Sequence, residues 1–236
     1  MTYQYKWPRA DRGHGGMYSQ NTPWSTEAWI GYQEEAALRY VNLVPANRRH
    51  TAIQAGGNIG IFPRVFAKHF KQVATFEPDP ENWDCLLANV ADCPNVTCVQ
   101  AALMHRKGSA VMRHNDINCG ASFIVPLDVA NNIAPPVQGA VANPVQCVDL
   151  DQYGFLACDL LQLDVEGCEL FALDGAIDTI YKHRPMIVLE INECQTRYGH
   201  TKDMVDDWML EHSYAELKSQ QHGSDHVYTY IERKIK

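Results

Sequence analysis

Two rhythms of apolar positions run along this chain. Short apolar runs, each closed by a glycine, proline or acid, read as strands, and apolar residues three or four apart between them read as helices. The strand-like runs are Thr51 to Ala55, Gln72 to Phe76, Val96 to Ala101, Leu160 to Leu163, Met186 to Ile191 and Val227 to Glu232. Helical spacing places Trp29, Ala36, Ala37, Tyr40 and Val41 on one helix, with Ser25 as its N-cap and Glu27 in its first turn. Phe62, Phe66 and Phe70 share a face of a helix from about Ile59 to Phe70, and Pro63 is tolerated in its first turn. Further helices are expected over about Glu81 to Val90, Cys168 to Ile180 and Thr201 to Glu211. Strand and helix alternate, then the chain closes on strands. That order predicts an α/β fold with a doubly wound, mostly parallel sheet and helices on both faces.

Two stretches break the rhythm. Residues 1 to about 24 are polar and glycine-rich and read as an irregular arm. From Gly108 to Cys147, short β-like pieces (Ala110 to Arg113, Ser122 to Val125) alternate with loop, which predicts an insertion over the site. The expected organisation is an N-terminal arm and helix over 1–50 packed on the core, and a main domain over 51–236 with a loop-rich insertion at about 108–147.

The strand ends gather the polar groups. Gly56 to Gly60 follow the first strand, Glu77 to Asp79 the second, and Ala101 and Ala102 the third. Asp164 to Glu166 and Glu190 to Asn192 follow the next two. Ligands of doubly wound sheets bind at those carboxyl ends. The turn QAGGNIG lacks the G-x-G-x-x-G spacing of a pyrophosphate-gripping site. Glycines of this kind, followed by the ribose-binding acid Glu77, fit S-adenosylmethionine better than a dinucleotide.

QAGGNIG, FEPDP, LDVEGCE and LEIN together resemble the FkbM family of class I methyltransferases, over about Thr51 to Asn192. The resemblance implies a Rossmann-like, mostly parallel seven-stranded sheet with an antiparallel last strand. It implies S-adenosylmethionine as cofactor, S-adenosylhomocysteine as product and O-methylation of a sugar or similar hydroxylated molecule. Gln54, Ala55, Gly56, Gly57, Asn58 and Gly60 would form the loop under the methionine part, and Glu77 would take the ribose hydroxyls. Pro78 and Asp79 would lie along the nucleoside, Ala101 and Ala102 beside the adenine, and Asp164 and Glu166 at the methyl-transfer end. Gln54 stands where the family usually carries an acid; its amide can brace the turn without bringing charge.

A hydroxyl is a poor nucleophile, so a carboxylate beside it would help. Asp164, Glu166 and Glu190 are the candidates. Being two apart at a strand end, Asp164 and Glu166 are expected to point different ways. The GAS loop offers the Ser122 hydroxyl to the cofactor. No metal is expected, although Asp164, Glu190 and Asn192 would suit magnesium or calcium. His105, His114 and His200 are expected in solvent, and Trp24 and Trp29 in the core.

Composition trims these readings. At 236 residues, 46% hydrophobic and 20% charged, the chain matches an ordinary globular protein, and its net charge of −8 weighs against a broad nucleic-acid surface. No apolar run reaches the length of a membrane helix, and the N-terminus lacks a secretory signal's apolar core. None of the eight cysteines forms a CxxC, so reduced, buried thiols and a cytoplasmic location are expected. Oligomeric state is not readable. Two rivals stand beside the methyltransferase: a nicotinamide-dependent oxidoreductase on the same layout, and a catalytically silent binding module, the latter favoured by Gln54.

Overall fold

The computed structural model describes residues 3–8, 26–115, 118–127 and 142–232. Trp24, Ser25 and most of the N-terminal arm lie outside them. Seven strands form the main sheet: β1 (Thr51–Ala55), β2 (Gln72–Phe76), β3 (Val96–Val99), β8 (Leu160–Leu163), β9 (Met186–Glu190), β10 (Tyr214–Glu216) and β11 (Asp225–Tyr230). Their order is β10-β11-β9-β8-β1-β2-β3. Every pairing from β3 across to β9 is parallel, and β11 is antiparallel to both its neighbours. The chain winds outward from β1 in one direction and from β8 in the other. The gap between these two strands is therefore the switch point where such sheets bind ligands.

The central strands carry no polar face because both faces are covered. Ile53, Ala55, Leu161 and Leu163 pack with Leu173 and Ile180, which come from α4 (Glu169–Asp174) and α5 (Ile177–His183), and with Met209 of α6 (Lys202–Glu211). On the other face, Ala52, Leu160 and Val188 meet Tyr40 of α1 (Thr26–Leu43) and Phe66 of α2 (Ile61–Ala67). Asp79 caps α3 (Pro80–Asn89): its carboxylate accepts from the N–H groups of Glu81 and Asn82, and Pro80 occupies the first turn, which needs no donor.

Two expectations change. The helix expected from Cys168 to Ile180 is divided into α4 and α5 at Gly175. The Gly175 carbonyl accepts from Leu150 and Asp151, and a Cβ there would lie 2.0 Å from the Met104 carbonyl oxygen. The expected loop-rich insertion contains a second, four-stranded sheet. It consists of β4 (Ala102–Leu103), β5 (Gly108–Arg113), β6 (Phe123–Pro126) and β7 (Ala142–Val148), in the order β4-β7-β5-β6. Its inner face buries Ala102, Met104, Ala110, Met112, Ile124 and Val145 against Cys168 at the start of α4. Among the described residues, no helix is long and apolar enough to cross a membrane.

The turn after β1 is the tightest place in the fold. The N–H groups of Gly56 and Gly57 both donate to the Phe76 carbonyl at the end of β2. Gly56 has φ 82°, and a Cβ on it would sit 1.8 Å from the Asp164 carbonyl oxygen. Gly56→Ala therefore meets both a left-handed backbone and a backbone clash. The expected loss is roughly 3 kcal/mol or more in urea unfolding. A variant as stable as the parent would show that the β1 and β8 turns do not touch.

Candidate active site

Two cavities open at the carboxyl ends of the parallel strands. The first is a narrow slot of about 60 Å³, walled by Ala55, Phe76, Glu77, Pro78 and Asn82 on one side. Ala101, Ala102, Met112, Ser122, Phe123 and Ile124 close the other. The second is a wider cavity of about 560 Å³ between the glycine turn, α1 and the loops after β8 and β9. Gly56, Asn58, Gly120, Asp164 and Glu166 line both, so the cavities adjoin at these five residues.

Each wall has a local cause. Gln54 is buried on β1; its Nε2 donates to the Gly56 carbonyl at 2.6 Å and to that of Ala55 at 3.3 Å, while its Oε1 accepts from the Thr75 hydroxyl. The amide thus braces the turn by bonds alone. Glu77 is 4% exposed and accepts from the Asn58 N–H at 2.6 Å and the Asp79 N–H at 2.8 Å. Burial pushes its carboxyl up to about 8, against the pull of those two N–H groups. Asn58 pays for the first bond with φ 46°.

The structure sorts the expected cofactor residues. Ala55, Gly56, Asn58, Glu77, Pro78, Ala101, Ala102, Ser122 and Asp164 line the slot, while Gln54 and Gly57 face the wider cavity. Gly60 does neither: at φ 91° it turns the chain into α2. The Asp79 carboxylate is occupied in capping α3 and in an ion pair with His114 Nδ1 at 2.8 Å. Burial raises Asp79, and His114 holds it down. His114 is therefore not free in solvent. His200 is half-buried against Phe171, 4.7 Å between ring centroids, which lowers its affinity for a proton. His105 is likewise half-buried, 5.4 Å from the same ring.

Asp164, Glu166 and Glu190 come together, each offering a carboxylate oxygen within 4.8 Å of the others. Strand alternation does not separate Asp164 from Glu166, because β8 ends at Leu163 and Glu166 takes φ 54° in the turn. Burial raises Asp164 well above the carboxylate range, reinforced by the neighbouring charges of Glu190 and Glu166. Glu166 is pushed to about 7 by burial and by Glu190, while the Cys194 thiol at 3.4 Å and Arg197 oppose the rise. Glu190 is held by Asn192 Nδ2 at 2.9 Å and the Ser224 hydroxyl at 3.0 Å. Three close carboxylates could also hold a hard cation. Asn192 lines the same cavity, and its oxygen accepts from the Cys194 N–H.

Several site residues escaped the sequence. Glu169 accepts from the N–H groups of Val165 and Gly167 and from Gln195 Nε2, which locks the acidic turn. Burial raises it to about 7. It lies in the DVEGCE motif, which was the available signal. Trp29 is half-buried: it packs against a hydrophobic core cluster, as expected, and also borders the wider cavity with Gln33. Nothing in the local pattern distinguishes a helix face turned to a cavity from one turned to the core.

A methyltransferase FkbM domain model matches residues 54–216. No curated protein matches the chain. Among solved structures, the methyltransferase FkbM of Methylobacillus flagellatus KT is similar at 18% identity and TM-score 0.50, over 78% of this chain and 44% of that one. This chain thus spans less than half the length of that relative. A ribosomal protein L11 methylase from Lactobacillus delbrueckii subsp. bulgaricus aligns at 11% identity and TM-score 0.48, over 85% and 79% of the two chains. A protein from Streptococcus mutans in complex with SAH aligns at 10% identity and TM-score 0.47, over 83% and 96%. At 18% identity the likeness to the Methylobacillus flagellatus structure is one of fold.

Glu77 couples the site to stability. Its folded-state affinity for a proton exceeds that of the unfolded chain, so its contribution to stability falls as pH rises from 4.5 to about 8. Glu77→Gln removes the titration. The Tm of this variant minus that of the parent is expected to grow as pH rises through that window in calorimetric melts. A difference that is flat or shrinks with pH would contradict the buried, proton-holding Glu77.

Proposed function

Because the chain belongs to the FkbM methyltransferase family, we propose that it is an S-adenosylmethionine-dependent O-methyltransferase acting on a hydroxyl of a carbohydrate or similar small molecule. The observation that carries this reading is the junction of the two cavities: a slot with a buried carboxylate on one side, a wider cavity on the other, and acids at the shared wall.

The residues present fit the cofactor. Glu77 has its backbone partners in place and carboxylate lone pairs to spare for ribose hydroxyls. The small side chains of Ala101 and Ala102 and the apolar Met112, Phe123 and Ile124 suit a flat base. Gly56 and Asn58 bring the backbone up to the junction. When bound, S-adenosylmethionine supplies an electrophilic methyl group on a cationic sulfonium.

The chain's own tasks are to orient and to move one proton. The acceptor sits in the wider cavity, excluded from the slot by the glycine turn and Gly120. Glu166, at the shared wall, takes the proton of the reacting hydroxyl on a carboxylate oxygen. Asp164 and Glu190 fix the neighbouring hydroxyls through hydrogen bonds. The half-buried acids at that wall also face the donor's positive charge. The N-terminal segment with α1, together with Asn115, Asn118, Gly120 and Ala121 after β5, forms the acceptor side of the molecule in this reading.

Calorimetry with S-adenosylhomocysteine tests the donor half. Glu77→Ala is expected to weaken binding at least about tenfold, or about 1.4 kcal/mol. Failure of the parent protein to bind at all would remove the methyltransferase reading. The pH profile tests the acceptor half. A base works only when ionised, and Glu166 titrates near 7. The value of kcat/KM should fall by about tenfold per pH unit below that point, and Glu166→Gln should cost about 10²-fold or more in kcat. A profile flat from pH 5 to about 8 would assign the proton to another group.

A further inference from the structure

The wider cavity says more about the acceptor than the family does. We infer that its occupant is a hydroxyl-rich ring, uncharged or amine-bearing, that stacks on Trp29 and is read by Gln33, and that phosphate- or carboxylate-bearing acceptors are excluded. This inference rests on the proposed methyl transfer and deepens it.

The first support is α1. Trp29 and Gln33 lie four residues apart, one helical turn, and both border the cavity. An indole presents a broad apolar face that suits the C–H face of a sugar ring. A carboxamide both donates and accepts, which is what a hydroxyl requires of its partner. Asn115 and Asn118 add two more carboxamides from the loop after β5. At about 560 Å³ the cavity lies within the roughly 300–1,000 Å³ of small-molecule sites.

The second support is that the platform is held from behind. Trp7 packs on Trp29, ring centroids 5.6 Å apart, within a cluster that includes Tyr5, Ile30, Ile59 and Cys119. The backbone of Lys6 exchanges two hydrogen bonds with the side chain of Asn89, at 2.7 and 2.9 Å. The same Asn89 amide donates to the Ile59 carbonyl at 2.7 Å. Tyr5 donates to Glu34 on α1 at 3.1 Å. Residues 3–8 therefore tie α1 to α3 and to the glycine turn. The aromatic face and the methyl-transfer wall are set at one spacing, which is a preorganised arrangement.

The third support is the sign of the charge. Asp164, Glu166 and Glu190 line the cavity, and among the described residues lining it there is no lysine, arginine or histidine. Arg197 is engaged elsewhere, donating to the Glu166 carbonyl and stacked on Phe123. An anionic acceptor would bring like charge against this acidic wall, a repulsive discrimination. An ammonium group would meet attraction there.

The test is ligand-observed NMR titration of the full chain saturated with S-adenosylhomocysteine, using D-glucose, D-glucosamine and D-glucose 6-phosphate as probes. Glucosamine should bind at least about threefold tighter than glucose, and glucose 6-phosphate at least about tenfold weaker. Trp29→Ala and Gln33→Leu should each weaken glucose binding about fivefold or more, with S-adenosylhomocysteine affinity kept within about twofold. That kept affinity separates loss of the platform from loss of the fold, and Gln33→Leu leaves the Trp7–Trp29 packing intact. Equal binding of the phosphate, no binding of any probe, or variants that bind glucose as the parent does would each overturn the inference. The sugar titrations are repeated without S-adenosylhomocysteine. Loss of its binding alone therefore removes the methyltransferase reading, while the sugar results still decide this one.

Discussion

A carboxylate taken out of water at Glu77 holds the donor half of the site together. It accepts N–H groups from two different loops, Asn58 after β1 and Asp79 after β2. These bonds set the spacing between the two strand ends, and the cost of burying the group appears as its raised proton affinity. Most of the neighbouring geometry follows from this arrangement. Asn58 adopts a left-handed backbone to reach it, Gly57 lets the turn lie against Thr75 and Leu86, and Asp79 is left in position to cap α3.

The acceptor half uses the opposite device. Asp164, Glu166 and Glu190 are held near one another by surrounding donors, and their mutual repulsion together with burial raises the proton affinity of Asp164. Glu169, Gln195, Asn192 and Ser224 keep that crowd in register. Asp225 on β11 is the register partner of Glu190 on β9, and burial raises it to about 6 while Tyr40 donates to it. One end of the sheet thus concentrates acids whose protonation states depend on one another and on whatever charge enters the cavity.

Strands β1, β2 and β8 are legible in the sequence to the residue, because an apolar run between turn-forming residues leaves little freedom in where it begins and ends. The glycine turn, Glu77 and the acidic pair at 164 and 166 are legible for the same reason: strand ends in a doubly wound sheet have a known meaning. What stayed hidden depends on contacts between distant segments. Gly175 divides a helix because Met104 and Leu150 approach it. The second sheet exists because β4 pairs with β7, some forty residues later in the chain. Asp79 is drawn into a pair with His114 from another loop. Trp29 has the same helical spacing whether its face meets a core or a cavity.

The contact between Gly56 and the Asp164 backbone has a consequence for how this protein can change. The turn after β1 and the turn after β8 share one clearance, too small for a methyl group. Neither can lengthen or take on bulk unless the other yields, so the two must drift as a pair. Residues 3–8 reach that turn through the Asn89 side chain rather than through a shared backbone clearance. Divergence in what the molecule accepts can therefore accumulate on the outer parts while the seam between β1 and β8 stays nearly fixed.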